Sequence, residues 1–175
     1  MRYDASSGDC WVSVYREGML ASVGHDLRLR VKTWILDLEL DPPSARAELD
    51  TGSIEVVGAL DGDRVDTARL DPKDRAEIER RIRDEVLEAG RHPKAIFRAA
   101  RVAPSNGGYQ VRGFLALHGV ERQLDLPVTI AGQRATARTT LDQTAFGICQ
   151  VKAFLGALRV KTDAVVDVAI ELRET

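Results

Sequence analysis

Apolar and polar positions alternate along most of the chain with a period of two, as in strands that bury one face. The clearest stretch is GGYQVRGFLALHGVERQLDLPVTI, Gly107 to Ile130, in which two alternating runs flank a glycine. Gly119 and Val120 suit the two central positions of a primed hairpin turn. That turn places Tyr109 opposite Ile130, Val111 opposite Val128, Gly113 opposite Leu126 and Leu115 opposite Leu124 on one face. The other face pairs Gln110 with Thr129, Arg112 with Pro127, Phe114 with Asp125, Ala116 with Gln123 and His118 with Glu121. A slip of one residue would turn one strand's apolar set toward water, so the pattern predicts a hairpin with these faces.

The same period recurs elsewhere. Leu27, Leu29 and Val31 share one phase with His25 at their start, and Trp34, Leu36, Leu38 and Leu40 continue in the opposite phase. The shift near Lys32 and Thr33 predicts a bulge or bend, the device by which a long strand turns a corner. Further strands are expected at about 10–16, 44–50, 53–58, 94–103 and 133–142. A last one carries Ala164, Val166, Val168, Ile170 and Leu172 on one face.

One segment has helical spacing instead. In LDPKDRAEIERRIRDEVLEAGRHPK, Asp71 serves as N-cap, Pro72 as first helical residue, Asp74 lies in the first turn and Gly90 is the stop. The segment predicts a helix over about 72–89 with an apolar stripe of Ile78, Ile82, Val86 and Ala89. Glu77 with Arg81 and Glu79 with Arg83 are i,i+4 pairs on its exposed side. VKAFLGALRV carries a weaker helical signal interrupted by Gly156. Many strands and one helix imply an all-β fold: an antiparallel closed or nearly closed barrel of about eight strands, the helix covering an opening or an outer surface. Such a barrel is either filled by side chains or holds one small ligand, and alternation is compatible with both.

Length and charge narrow the picture. The 175 residues are expected to form a single domain over 1–175. With 25 Lys and Arg against 27 Asp and Glu, the net charge of −2 gives no electrostatic case for nucleic acid or an anionic membrane surface. The start, MRYDASSGDC, has no apolar core, and no uncharged run approaches the roughly 18 residues that span a bilayer. A cytoplasmic protein without integral membrane association is therefore expected, with two reduced thiols, Cys10 and Cys149. The sequence is compatible with a homodimer.

Candidate chemistry is sparse. His25, His92 and His118 share no ligand spacing, and neither a metal nor another cofactor is expected. His118 is expected beside the hairpin turn and His92 in the loop GRHPK, both away from the interior. His25, in phase with the leucines at a strand end, is the candidate contact for a ligand head group, against a role in capping local backbone. No Gly-x-Ser-x-Gly or comparable nucleophile motif occurs, so an enzyme is not expected. GALDGDRVD gathers Asp61, Asp63 and Asp66 but lacks the glutamate that closes a calcium loop, and reads as a polar surface loop.

Five blocks, GHDLRLRV, VLEAGRHPKAIFRAARV, the hairpin stretch, LDQTAFGI and AFLGALRVKTDAVVDVAIEL, occur in an order that resembles the YceI-like lipid-binding family. The resemblance extends from about Ser22 to Leu172. It implies an extended lipocalin-like barrel whose apolar interior holds polyisoprenoids or other long-chain amphiphiles. The chain departs from that pattern with VKTWILDLEL, DTARL and Gln143, which marks a divergent branch. With the resemblance, the expected activity is non-enzymatic binding, sequestration or transport of an isoprenoid or fatty amphiphile. The expected cavity wall is Leu27, Leu29, Val31, Val111, Gly113, Leu115, Leu117, Leu124, Leu126, Val128, Ile130, Val168 and Ile170. Gly113, facing inward without a side chain, is expected to open space in that wall or to mark a bend. The alternatives are a structural or interaction barrel with a filled core and, requiring converging polar groups, a small-molecule enzyme.

Overall fold

The alternating stretches become thirteen antiparallel strands of one sheet. The structure, a computed structural model, describes residues 1–173. The strands are β1 (Arg2–Asp4), β2 (Gly8–Glu17), β3 (Asp26–Val31), β4 (Trp34–Leu40), β5 (Pro43–Asp50), β6 (Ile54–Asp61) and β7 (Arg64–Asp66). After the helix α1 (Pro72–Arg81) come β8 (Lys94–Ser105), β9 (Gly108–Leu117), β10 (Val120–Ala131), β11 (Arg134–Asp142), β12 (Lys152–Ala153) and β13 (Leu158–Glu171). Their hydrogen-bonded order is β1-β4-β5-β8-β9-β10-β11-β13-β2-β3-β6-β7, with β12 beside β13.

The path holds twelve strands, not about eight, because two long strands bend. β3 and β4 are halves of one arm that turns at Lys32 and Thr33, where the apolar phase shifts. β5 and β6 bend beside it at Thr51–Ser53, and Lys32 N–H to Ser53 O (3.2 Å) and Asp50 N–H to Thr33 O (2.9 Å) carry the ladder through the corner. One half of this bent hairpin lies against β2 and the other against β8, so the sheet curls back on itself. Short β1 and β7 add to the count, and β12 lies off the path beside β13. The curl is unsealed on one side. β10 pairs with β11 only over Val128–Ala131, and the turn after β11 fills the divergence: Phe146 and Ile148 are buried there and Arg122 Nε donates to Ala145 O at 3.1 Å.

The central hairpin forms with the expected faces and a different register. His118 and Gly119 are the turn residues, with φ of 53° and 77°, so Gly113 lies opposite Leu124, Val111 opposite Leu126 and Tyr109 opposite Val128. A turn with two positive φ angles matches the twist of the flanking strands, and histidine is among the side chains that tolerate this region. The displacement is two residues, and a period of two leaves every side chain on its expected face.

The helix starts as expected, with the Asp71 side chain accepting from Asp74 N at 2.8 Å and Pro72 at the first position. Its α-helical part is shorter than 72–89. It widens into a π-helical turn over Ile82–Val86, where Leu87 N–H donates to Ile82 O at 2.8 Å, and it is stopped by Glu88 at φ 45° rather than by Gly90. The exposed pairs are also re-sorted. Arg80 pairs with Glu77 at 2.8 Å and Arg81 with Glu85 at 3.6 Å, while Glu79 Oε1 accepts from Val56 N at 2.7 Å and ties the helix to β6. Ile78 and Ile82 pack on Leu29, Val56 and Leu70, and Val86 and Leu87 pack on the cluster around Phe97 and Leu115. The apolar stripe thus bridges two parts of the inner face and lies across one end of the barrel. VKAFLGALRV contributes β12, one 3-10 turn at Phe154–Gly156 and the first residues of β13, so the last strand begins at Leu158.

Candidate functional site

The inner face carries three clusters of buried apolar residues. One gathers Tyr3, Cys10, Val31, Trp34, Ala135 and Ile170, a second Ala95, Phe97, Val111, Leu115, Phe146 and Ile148, and a third Leu29, Val56 and Leu70. Partly buried side chains join them: Val12 and Ile54 pack on the first and the third, Leu49 and Val128 on the first and the second. The expected wall residues divide between two states. Leu29, Val31, Val111, Gly113, Leu115 and Ile170 are buried, whereas Leu27, Leu117, Leu124, Leu126, Val128, Ile130 and Val168 are only partly buried. Val12, Val128, Val166 and Val168 sit on stretches paired on both flanks and belong to the inner clusters, yet retain accessible surface.

Gly113 does not open space. A Cβ there would stand 2.3 Å from Arg98 O and 2.6 Å from Phe97 Cζ, so the glycine lets the neighbouring strand and the Phe97 ring close over it. Phe97, Trp34, Phe146 and Ile148 are inner residues outside the expected wall. Trp34 is 5% exposed, and its indole N–H has no hydrogen-bond partner among the described residues. The Cys10 thiol, buried in the same cluster, has its pKa pushed up to about 12, first by burial and then by Asp167 and Asp9. Outside the barrel, Arg28 covers Ser13, donating to its Oγ at 2.7 Å and to Asp167 Oδ2 at 3.1 Å, which satisfies the one buried serine without building a nucleophile.

His25 is partly buried at the start of β3, in phase with Leu27. The loops around this end are apolar and exposed: Met19 is 90%, Val23 62%, Phe154 66% and Leu155 fully exposed. Leu20 N–H donates to Ala157 O at 2.9 Å, so the two loops form one rim. The pattern of the strands could not reveal this rim, because it lies in turns where periodicity stops.

The structure brings together two histidines whose sequence positions share no spacing. Their rings lie 4.6 Å apart, centroid to centroid, between the helix exit and the hairpin turn. His118 sits in the turn itself, with Nε2 2.9 Å from Glu88 Oε2 and Nδ1 3.3 Å from Phe146 O. One ligand atom each from Glu88, His92 and His118 lies within 4.8 Å of the others. Glu88 and His92 are four residues apart, the one sequence signal that could have suggested the group.

A family model described as a YceI-like domain matches residues 17–173, and the chain belongs to that family. No curated protein matches it in sequence. Among solved structures, BcnA of Burkholderia cenocepacia superposes with a TM-score of 0.69 at 16% identity, covering 95% of this chain and 97% of that one. The YceI protein of Campylobacter jejuni gives 0.58 at 12% identity, with 84% of each chain covered. A polyisoprenoid-binding domain from Saccharophagus degradans, implicated in plant cell wall breakdown, gives 0.57 at 15% identity and 94% of each chain. These likenesses establish the barrel fold of the family. No helix among the described residues is long and apolar enough to cross a membrane.

Proposed function

We propose that the whole chain acts as one non-enzymatic binding unit that holds an isoprenoid or similar long-chain amphiphile inside the barrel, for sequestration or transport. The observation that carries this reading is the accessible apolar surface of Val12, Val128, Val166 and Val168 on flanked stretches of the inner face. A wall of branched aliphatic side chains gives non-directional contact, worth about 0.8 kcal/mol per buried methylene before ordering costs. Family membership and the polyisoprenoid-binding neighbour support the ligand class. The rim of Met19, Val23, Phe154 and Leu155 is the access end, with His25 the candidate head-group contact just inside it. The free thiols of Cys10 and Cys149 fit a reducing compartment such as the cytoplasm.

A filled structural barrel is the second reading. It is favoured by Phe97 closing over Gly113, and by two surface concavities that lie outside the barrel, one along Lys73, Ala76 and Arg80 and one beside Asp61 and Arg64. Native mass spectrometry of protein purified without detergent separates the two. A mass increment that solvent extraction removes, and that identifies as a long-chain lipid, supports the carrier. A bare chain that also takes up no added farnesol or polyprenol supports the filled barrel.

A further inference from the structure

We propose that Glu88, His92 and His118 form a binding site for a divalent cation of the zinc class at the helix-capped end of the barrel. Each of the two ring nitrogens of His118 meets an acceptor. Nδ1 lies 3.3 Å from Phe146 O, and Nε2 lies 2.9 Å from Glu88 Oε2. A backbone carbonyl and a carboxylate oxygen both need a donor, while a neutral imidazole has one N–H. With that proton on Nδ1 toward Phe146 O, the Nε2 lone pair confronts the Glu88 oxygen, and a cation off the line that joins them, about 2.0–2.2 Å from each, satisfies both. The competing solutions are a second proton on the ring, or the single proton on Nε2 donating to Glu88 over the shorter of the two contacts.

His92 decides in favour of the metal. It supplies another nitrogen in the same group, all three ligand atoms falling within 4.8 Å of one another. Two imidazoles and a carboxylate suit zinc-class ions over magnesium or calcium. Three protein ligands leave a fourth position for water. The His118 contact to Phe146 O is the outer-shell bond that orients metal-binding imidazoles. The ligands come from three separate places: the end of the π-helical turn, the loop leading to β8 and the β9–β10 turn. A bound ion would staple the helix exit to the hairpin tip, and burial is compatible with it, since all three residues are partly buried and reachable from solvent.

The test uses the full chain stripped of metal with a chelator, then titrated with Zn²⁺ by calorimetry. One equivalent binds with micromolar or tighter affinity, and Tm rises with zinc concentration. Glu88→Gln, His92→Gln and His118→Asn each weaken binding by more than the roughly 10- to 100-fold typical of losing an outer-shell partner, and Asp61→Asn, in the acidic surface loop, binds as the unaltered chain does. Co²⁺ gives a readout that needs no variant: the unaltered chain develops the intense visible bands of a four- or five-coordinate ion. Absence of zinc binding, a cobalt spectrum of the hydrated ion alone, or equal affinity in His92→Gln would overturn the proposal. Lipid content plays no part in these readouts, so they stand or fall apart from the carrier reading.

Discussion

The ring of Phe97 lies where a side chain on Gly113 would go, its Cζ 2.6 Å from the position of that Cβ. Arg98 O is closer still, at 2.3 Å, and a backbone atom cannot swing aside. Gly113→Ala should therefore destabilise the barrel by about 3 kcal/mol or more, at or beyond the upper end for overpacking. Urea unfolding measures it. A variant as stable as the parent would show that β8 and β9 do not approach as described.

The two faces of β10 predict opposite outcomes for one substitution. Leu126 points inward and is partly buried, so Leu126→Arg places a charge in apolar surroundings, displaces bound lipid and costs several kcal/mol. Gln123 is exposed opposite Phe114, and Gln123→Arg should change stability by no more than about 0.5 kcal/mol with lipid content unchanged. Lipid-to-protein ratio after gel filtration, with thermal unfolding, reads both. Retained lipid in Leu126→Arg would place the ligand elsewhere.

The thiols should differ in reactivity and in pH dependence. Cys149 is exposed and Cys10 buried, so an aromatic disulfide reagent titrates one thiol in the native chain and two after denaturation. The Cys10 pKa is raised from 9.0 to about 12. The folded chain therefore holds that proton where the unfolded chain releases it, and this contribution is intact below pH 9 and declines as pH rises toward 12. The slope reaches at most about 1.4 kcal/mol per pH unit. Comparison of urea midpoints at pH 8 and 10.5 should show a smaller loss in Cys10→Ala than in the parent.

Most of this fold is legible in the sequence because its strands carry one wet and one apolar face. The bend at Lys32 and Thr33 shows as a phase shift, and the faces of the β9–β10 hairpin follow from alternation alone. The register does not, because a two-residue displacement leaves the faces unchanged and only the left-handed conformation of His118 sets it. Gly113 carries no pattern of its own, and its role depends on Phe97 arriving from β8. The pairing of His92 with His118 arises from the helix exit meeting a turn, a long-range event that no local spacing encodes.

The exposed rim should govern exchange rather than stability. Met19→Ser with Leu155→Ser alters two side chains that are 90% exposed or more, and stability should hold within about 0.5 kcal/mol for each. Transfer of a fluorescent polyprenol from neutral phosphatidylcholine vesicles should slow in that variant while the bound amount at equilibrium stays the same. Transfer at the parent rate would remove these loops from the access route.

Solvent extraction of the protein purified without detergent, followed by mass spectrometry of the extract, reads whether the inner face holds a long-chain amphiphile. The extract is expected to hold a long-chain isoprenoid or related amphiphile at a molar ratio approaching one, greatly reduced in Leu126→Arg and unchanged in Gln123→Arg. An extract with no lipid above background, from a chain that also fails to take up added polyprenol, would contradict the carrier reading and leave a filled barrel.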